Sequence, residues 1–180
     1  MSIRLTQIFG STVLTLSEPR PVDATLKPSS EAVPHDLIEL LFFAYRDFVG
    51  DPDRILADYG FGRAHHRVLH FVQRCPGLTI AELLDILQIT KQSLNRVLKE
   101  LVEKGYIEQR TGRQDKRQRH LHTTAAGQDL ALRLVRLQAK RIHRALDGVG
   151  PEAAAIAAQY LSALIDPAER PKVERLLAKP

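Results

Sequence analysis

The clearest periodic pattern along the chain lies between residues 90 and 105. Its apolar side chains recur at i, i+3, i+4, i+7 and i+8, the spacing of one helix face: Leu94, Val97, Leu98, Leu101 and Val102. Thr90 is placed to cap the start of this helix, and Gly105 is placed to end it. The opposite face carries polar side chains that can reach phosphates and base edges: Lys91, Gln92, Ser93, Asn95, Arg96 and Lys99.

A shorter helix is predicted immediately before this one. Residues 76–77, Pro-Gly, signal a turn, and residues 79–82 have the Thr-x-x-Glu spacing of a capping box. The pattern predicts that this helix turns three residues inward: Ala81, Leu84 and Leu87. Little chain remains before Thr90, so the two helices are joined by a tight turn. This arrangement predicts a helix-turn-helix whose second helix is the reading element.

Two short strands are predicted after the second helix. Residues 106–110 have strand character, and residues 119–123 alternate, with Leu121 and Thr123 opposite His120 and His122. The hairpin tip between them, residues 111–118, is basic and has no core to join. Its natural partner is a phosphate backbone or minor groove beside the reading helix. The lone acid of the tip, Asp115, is placed to orient a neighbouring guanidinium. The predicted fold is therefore mainly α with a small β-wing.

The remaining helices are apolar over wide arcs. Residues 35–49 carry ten apolar or aromatic positions, and Thr124 begins a long helix that runs to Val149. Along that helix a 3-4 spacing forms a coiled-coil-like seam: Leu132, Val135, Ala139, Ile142, Leu146 and Val149. A second row is predicted to face the DNA-reading lobe: Leu130, Leu134 and Leu137. After the break at Gly150-Pro151, residues 151–165 predict a third helix. Periodicity alone fits an intramolecular bundle and a homodimer equally well.

The positive charge of the chain is concentrated in one region. The 180 residues include 26 Lys/Arg and 21 Asp/Glu, a formal net charge of +5. Residues 89–127 contain nine Lys/Arg and four Asp/Glu, which also leaves +5, so the rest of the chain sums to zero. A charged stripe alone is more often a solvated helix face. Its position between a tight turn and a basic hairpin favours contact with nucleic acid.

Composition narrows the functional class. The single cysteine, Cys75, excludes an intramolecular disulfide, and no apolar run is long enough to cross a bilayer. Residues 1–17 lack the continuous apolar segment of a signal peptide, so a cytoplasmic protein without membrane contact is expected. Residues 1–33 are expected to be a flexible lead-in and residues 166–180 a tail. No phosphate-binding loop, nucleophile elbow or paired-carboxylate cluster is present in the sequence, which argues against an enzyme and predicts no cofactor.

Histidine and cysteine residues offer a possible metal site and a possible reactive thiol. His66 and His70 stand at i, i+4, a spacing that could bind a metal, but a third close ligand is lacking in the sequence. Surface or interface histidines are the favoured interpretation, with no metal. Cys75 continues the stripe of Val68, Phe71 and Val72, which predicts a buried structural thiol.

These residues together resemble the MarR family of winged helix-turn-helix regulators. The resemblance rests on residues 98–110, LKELVEKGYIEQR, on Asp115-x-Arg117 in the wing, and on the closing pattern of Leu121, Thr123 or Thr124, and Gly127. It covers residues 34–165, and residues 53–72 resemble the PetP-named branch of that family more locally. The resemblance implies that Arg117 enters a minor groove with support from Asp115. It also favours a homodimer built by residues 34–49 and 124–165, with the winged helix-turn-helix at residues 64–123.

The sequence therefore predicts a homodimeric regulator that binds a pseudo-palindromic operator in double-stranded DNA. Eleven residues are expected to contact DNA: Lys91, Gln92, Ser93, Asn95, Arg96, Lys99, Arg113, Asp115, Lys116, Arg117 and Arg119. By analogy with the family, a small phenolic or carboxylic effector is expected near five others: Tyr45, Tyr59, Arg63, His66 and His70. The alternative is a protein-interaction module whose winged helix docks an acidic partner without reading bases.

Overall fold

The structure, a computed structural model, describes residues 34–112 and 118–179. Its elements are α1 (His35–Asp58), α2 (Arg63–Arg74), β1 (Leu78–Thr79), α3 (Ile80–Leu87), α4 (Lys91–Glu103), β2 (Ile107–Thr111), β3 (Arg119–Thr123), α5 (Ala125–Asp147), α6 (Ala153–Leu164) and α7 (Arg170–Leu177). The predicted fold class, mainly α with a small β-wing, is confirmed. The predicted lead-in of residues 1–33 lies outside the described residues.

The three strands form one antiparallel sheet in the order β1-β3-β2. Strands β2 and β3 make the predicted hairpin, in a register that pairs Ile107 with Thr123 and Thr111 with Arg119. The two-residue strand β1, which the sequence pattern did not predict, pairs Leu78 with Leu121. Leu121 is fully buried, so the central strand ties the wing to the helical core.

One hydrophobic core unites α2, α3, α4, the sheet and the first turns of α5. Its fully buried side chains come from every one of these elements: Val68, Leu69, Val72, Leu83, Leu94, Leu101, Leu121 and Leu134. Leu56, near the end of α1, and Phe61 also join this core. The core therefore fixes the orientation of α4 relative to the wing, and we call this unit, residues 56–134, the reading lobe.

Helices α3 and α4 begin at the predicted caps. The backbone N–H of Glu82 donates to Thr79 Oγ1 at 3.2 Å, while the N–H of Thr79 donates to Glu82 Oε2 at 2.7 Å, which completes the capping box. That backbone bond holds the pKa of Glu82 below its usual range. The inward set predicted for α3 was partly wrong: Ala81 is exposed, and Leu83 is buried beside Leu87. Gly105 follows α4 at a φ of 76°, which favours glycine.

The start of α5 is seated on the turn between α4 and β2. Thr124 caps the helix, accepting the N–H of Gly127 at 3.1 Å, and its own hydroxyl donates to the carbonyl of Gly105 at 2.6 Å. The N–H of Thr124 donates to the carbonyl of Tyr106 at 3.1 Å. A Cβ on Gly127 would overlap that same carbonyl oxygen of Tyr106. The glycine in the closing motif is therefore required by close approach of two backbones.

Two helix ends and one additional helix differ from the sequence prediction. Helix α1 continues past Val49 to Asp58 and contains Pro52, which is buried. Helix α5 ends at Asp147 rather than Val149. Within the predicted tail, α7 forms a helix that packs on the reading lobe: Leu176 contacts the core, and Lys172 Nζ lies 3.1 Å from Asp85 Oδ1 on α3.

Large apolar surfaces remain exposed on α1, α5 and α6. On α1, six apolar side chains between residues 37 and 43 are 38–68% exposed: Leu37, Ile38, Leu40, Leu41, Phe42 and Phe43. The seam of α5 is also exposed at Leu132, Val135 and Ile142, while Leu130 and Leu134 are buried in the reading lobe as predicted. Helix α6 exposes Ile156, Leu161 and Leu164. None of the described helices is long and apolar enough to cross a membrane.

Candidate nucleic-acid interface

The outer face of α4 presents the polar side chains predicted to contact DNA. The four apolar residues of its inner stripe are at most 2% exposed, so packing fixes which face points outward: Leu94, Val97, Leu98 and Leu101. All six predicted contact residues of the helix are exposed: Lys91, Gln92, Ser93, Asn95, Arg96 and Lys99. The structure brings these six together on one surface.

The turn before α4 sets the approach of this face. Gln88 ends α3 in the left-handed conformation, with a φ of 51°, and its N–H donates to the carbonyl of Leu84 at 2.9 Å. Thr90 then caps α4 by accepting the N–H of Ser93 at 3.2 Å. The hydroxyl of Thr90 also donates to Ser93 Oγ at 2.9 Å, so Ser93 belongs both to the cap and to the exposed face. The two helices form the predicted helix-turn-helix.

The charges on α4 are graded along its axis. Cations and amides occupy the first turns, while Glu100 and Glu103 follow one turn after Arg96 and Lys99. Arg96 Nη1 lies 3.9 Å from Glu100 Oε1, and Lys99 Nζ lies 3.7 Å from Glu103 Oε1. The N-terminal part of the helix is therefore the part that suits approach to a major groove.

A buried histidine that the sequence reading did not assign contacts this helix from α2. His65 is 7% exposed, and its Nε2 lies 2.8 Å from Glu100 Oε2. Its Nδ1 accepts the N–H of Gly62 at 3.2 Å, and its ring stacks on Phe61 at a centroid distance of 4.7 Å. Only the Gly62-x-x-His65 spacing at a helix start could have indicated part of this arrangement, because Glu100 lies 35 residues away.

The wing carries further cations beside the helix. Arg119 is exposed on β3 and bonds to Thr111 Oγ1 across the hairpin. On β2, Arg110 Nε donates to Glu108 Oε1 at 2.8 Å. Four wing residues predicted to contact DNA lie outside the described residues: Arg113, Asp115, Lys116 and Arg117. The described strands place Arg119, paired with Thr111, at the end of the β2–β3 hairpin from which the tip continues.

The residues predicted to bind an effector fall into two groups. Arg63 Nε lies 2.7 Å from Asp53 Oδ2, and His66 and His70 follow it on the same helix, α2. Tyr45 is exposed on α1. Tyr59 instead joins an aromatic cluster, with its ring centroid 6.4 Å from Phe61 and 6.0 Å from Tyr106.

The histidines of α2 are more buried than the sequence suggested. His66 is 8% exposed, so the expectation of a surface or interface histidine was wrong for His66, which the packing of α2 encloses. Burial lowers the pKa of His66 and of His70, and the charge of the neighbouring His70 lowers the pKa of His66 further. Asp53 opposes that shift at His66. One carboxylate oxygen of Asp53, Oδ1, is buried without a hydrogen-bond partner among the described residues.

The structure also bears on the thiol of Cys75 and on metal binding. Cys75 is buried, as predicted from its stripe. Across residues 34–112 and 118–179, no cluster of three or more His, Cys, Asp or Glu side chains could hold a metal ion.

Comparison with known proteins supports the predicted winged helix-turn-helix. A sequence model of the MarR family matches residues 59–118, which include the helix-turn-helix and most of the wing. The HTH-type transcriptional regulator PetP of Rhodobacter capsulatus is 52% identical over 133 residues, which cover 74% of this chain and 80% of that protein.

Solved structures share the fold. FabT of Streptococcus pneumoniae, crystallised in complex with DNA, superposes with a TM-score of 0.65 at 22% identity, covering 72% of this chain and 93% of FabT. A MarR variant of E. coli complexed with operator DNA gives a TM-score of 0.58 at 21% identity, covering 73% and 94% of the two chains. The 52% identity to PetP, together with the match to the family model, shows that the chain belongs to the MarR family of winged-helix, DNA-binding transcription regulators, which are not enzymes.

Proposed function

We propose that the chain acts as a homodimer on a pseudo-palindromic operator, with α4 of each subunit in a major groove. The observation that carries this proposal is the division of α4 into a fully packed apolar face and an exposed polar face. Helices that read DNA in this way contact bases through N-terminal residues of the second helix. Gln92 and Arg96 are the side chains best suited to paired hydrogen bonds with adenine and guanine edges. Lys91 and Lys99 are suited to phosphates.

The wing is proposed to lie at the flanking minor groove or its backbone. Arg119 is exposed on β3 and supports this placement. The tip residues Arg113, Lys116 and Arg117 are assigned to the same contact from the sequence pattern, with Asp115 orienting a guanidinium. A phosphate contact supplies affinity with little sequence information. Arg117→Ala is therefore expected to weaken operator and nonspecific DNA together and to lower the salt slope of binding by about one unit.

The dimer is proposed to form through α1, α5 and α6. Each of these helices exposes large apolar side chains, among them Leu41, Phe42, Ile142, Ile156 and Leu161. Exposed apolar surfaces of this kind mark protein–protein interaction sites. A two-fold dimer of this kind presents two α4 helices to one face of DNA, about 34 Å apart. Light scattering at micromolar concentration tests the assembly, and a stable monomer with native helicity would contradict the operator proposal.

An effector is proposed to bind near Arg63, His66 and His70, between the dimer helices and the reading lobe. A carboxylic or phenolic ligand suits this group because Arg63 is a cation and the phenol of Tyr45 lies close enough to act electrostatically on its guanidinium. Tyr59 would take part from the neighbouring aromatic cluster. Calorimetric titration with salicylate, a compound that is both phenolic and carboxylic, tests the chemistry. Equal heats for wild type and Arg63→Ala would contradict it.

The reading role of α4 can be tested directly by substitution. Arg96→Ala and Gln92→Ala leave the apolar stripe intact, so the fold should persist. Each is expected to cost about 1–3 kcal/mol of operator binding and to relax base preference, if the lost contact is a bidentate base pair. The assay compares a duplex selected from a random-sequence library with a scrambled duplex at several salt concentrations. Unchanged binding by both variants would favour a winged helix that docks an acidic protein partner.

A further inference from the structure

The DNA-facing side of α4 carries two acid–base pairs with the same spacing and different surroundings. Arg96 and Glu100 form one i, i+4 pair, and Lys99 and Glu103 form the other. The cations are equally exposed, at 73%, but the side chain of Glu100 is 34% exposed and that of Glu103 is 62% exposed. The difference arises because Glu100 also contacts a second helix.

That second contact fixes the carboxylate of Glu100. His65 Nδ1 accepts a hydrogen bond from the N–H of Gly62, so the ring proton resides on Nε2 when the imidazole is neutral. The Nε2–H therefore donates to Glu100 Oε2 at 2.8 Å. Stacking on Phe61 and near-complete burial hold the ring itself in place. Oxygen Oε2 of Glu100 is thereby committed to His65, and the other oxygen, Oε1, is the one that points toward Arg96.

We infer that Glu100 is a positioning residue for Arg96 and that His65 sets the orientation of Glu100. This inference rests on the proposed role of Arg96 in reading DNA. A carboxylate on a DNA-facing helix repels phosphates, so an acid here weakens binding unless it contributes in another way. A fixed carboxylate restricts the rotamers of a long, exposed guanidinium before DNA arrives. The ordering cost of Arg96 on binding then falls, and its direction toward a base edge is better defined.

The two glutamates provide a matched comparison. Glu100→Gln and Glu103→Gln remove the same charge from the same helix and conserve shape. In Glu100→Gln, the donor on His65 selects the amide oxygen, which turns the amide NH2 toward Arg96 and repels it. Discrimination between the selected duplex and the scrambled duplex should fall about three- to tenfold, the coupling expected of contacting residues. Glu103→Gln should bind both duplexes more tightly and keep discrimination unchanged.

An Arg96→Ala background separates positioning from a general effect on the helix. In that background, Glu100→Gln should behave like Glu103→Gln, since the side chain that it positions is absent. A loss of discrimination that persists without Arg96 would overturn the inference. So would equal tightening on both duplexes by the two glutamate variants in the wild-type background. If Arg96→Ala alone retains full discrimination, the proposed reading role of Arg96 fails, and that arm identifies the failure.

Variants of His65 test the second half of the inference. His65→Leu removes the donor and should reproduce the loss seen with Glu100→Gln. His65→Gln keeps an N–H near the position of Nε2 and should restore at least part of the discrimination. Thermal unfolding of each variant confirms that the reading lobe is folded at the assay temperature. Wild-type discrimination in both His65 variants would show that Glu100 is not set by His65.

Discussion

Two helices of this protein, α4 and α1, carry strong apolar stripes, and the two stripes differ in how far they are buried. Four of the five residues in the α4 stripe are at most 2% exposed, whereas six apolar residues in the first half of α1 are 38–68% exposed. Both stripes consist of leucine, isoleucine, valine or phenylalanine. The difference in exposure therefore comes from the surfaces that the other described elements place against each helix. The reading lobe supplies a partner for every apolar side chain of α4, whereas residues 34–112 and 118–179 supply none for the outer face of α1.

This comparison separates two sources of stability. Burial within one chain is independent of protein concentration, whereas burial between chains strengthens with concentration by mass action. The reading lobe should hold its structure in a single subunit. The outer faces of α1, α5 and α6 should gain stability only when another surface covers them. The following predictions test that division, from the largest expected effect to the smallest.

Truncation of a core side chain should have the largest effect. Leu101→Ala removes a fully buried side chain from the inner face of α4 and should lower the free energy of unfolding by about 2–5 kcal/mol. Chemical denaturation followed by circular dichroism measures it. The loss should be the same at low and high protein concentration, because the contacts of Leu101 lie within one chain. A loss of unfolding free energy that becomes smaller at high protein concentration would contradict the assignment of Leu101 to contacts within one chain.

A methyl group on Gly127 should disturb the seat of α5. Gly127→Ala places a Cβ against the carbonyl oxygen of Tyr106, a backbone atom that cannot turn aside as a flexible side chain could. The expected loss of unfolding free energy is about 3 kcal/mol, toward the upper end of overpacking costs. Gly148→Ala, at the other end of the same helix, is the control, because its Cβ would meet only ordinary contacts at 3.6 Å. Similar losses in both variants would rule out the close approach as the cause.

Truncation on the outer face of α1 should act through association. Phe42 is 68% exposed, so Phe42→Ala should leave the unfolding of an isolated subunit nearly unchanged. In the proposed dimer the ring is covered, and its loss should weaken association by about 2 kcal/mol per subunit. Analytical ultracentrifugation over a dilution series measures the dissociation constant. Identical dissociation constants for variant and wild type would place Phe42 outside the interface.

A pH dependence of stability should arise inside the lobe from His66. Its pKa is lowered in the folded state, chiefly by burial, so the unfolded chain takes up a proton at a higher pH than the folded chain does. Stability should therefore fall as pH drops through the unfolded value of about 6.5 and level off below the folded value. Denaturation midpoints of His66→Leu should change less across this range. An equal slope in both proteins would assign the dependence to other groups.

The parts of the molecule set by local spacing were predictable from sequence. The stripe of α4, the cap at Thr90 and the capping box at Thr79 are local patterns, and each appears in the structure. The burial of Leu83 in place of Ala81 was not predictable in the same way. Helix α3 has only eight residues, and its buried face is chosen by the elements around it. Period alone constrains so short a helix weakly.

Contacts between distant residues account for the other differences. Helix α1 continues through Pro52 because that residue is buried, and its packing compensates for the hydrogen bond that proline cannot donate. Helix α7 docks through Lys172 and Leu176 onto elements far away in sequence. The hydrogen bond of His65 with Glu100 likewise joins residues on two helices. Neither hydrophobic spacing nor charge pattern encodes such pairings.

Helix α5 is anchored at one end by Gly127 and exposed along its seam at the other, which makes it a lever arm. It has 23 residues, and at about 1.5 Å per residue it is about 34 Å long. A tilt of about 6° at its far end would move the anchored end by about 3.5 Å, close to the rise of about 3.4 Å along the DNA axis per nucleotide of one strand. A change of a few degrees at the seam would thus shift the reading lobe by one step along the double helix. In the proposed dimer, the stiffness of this helix would therefore determine how small a disturbance at the seam becomes a change of register on DNA.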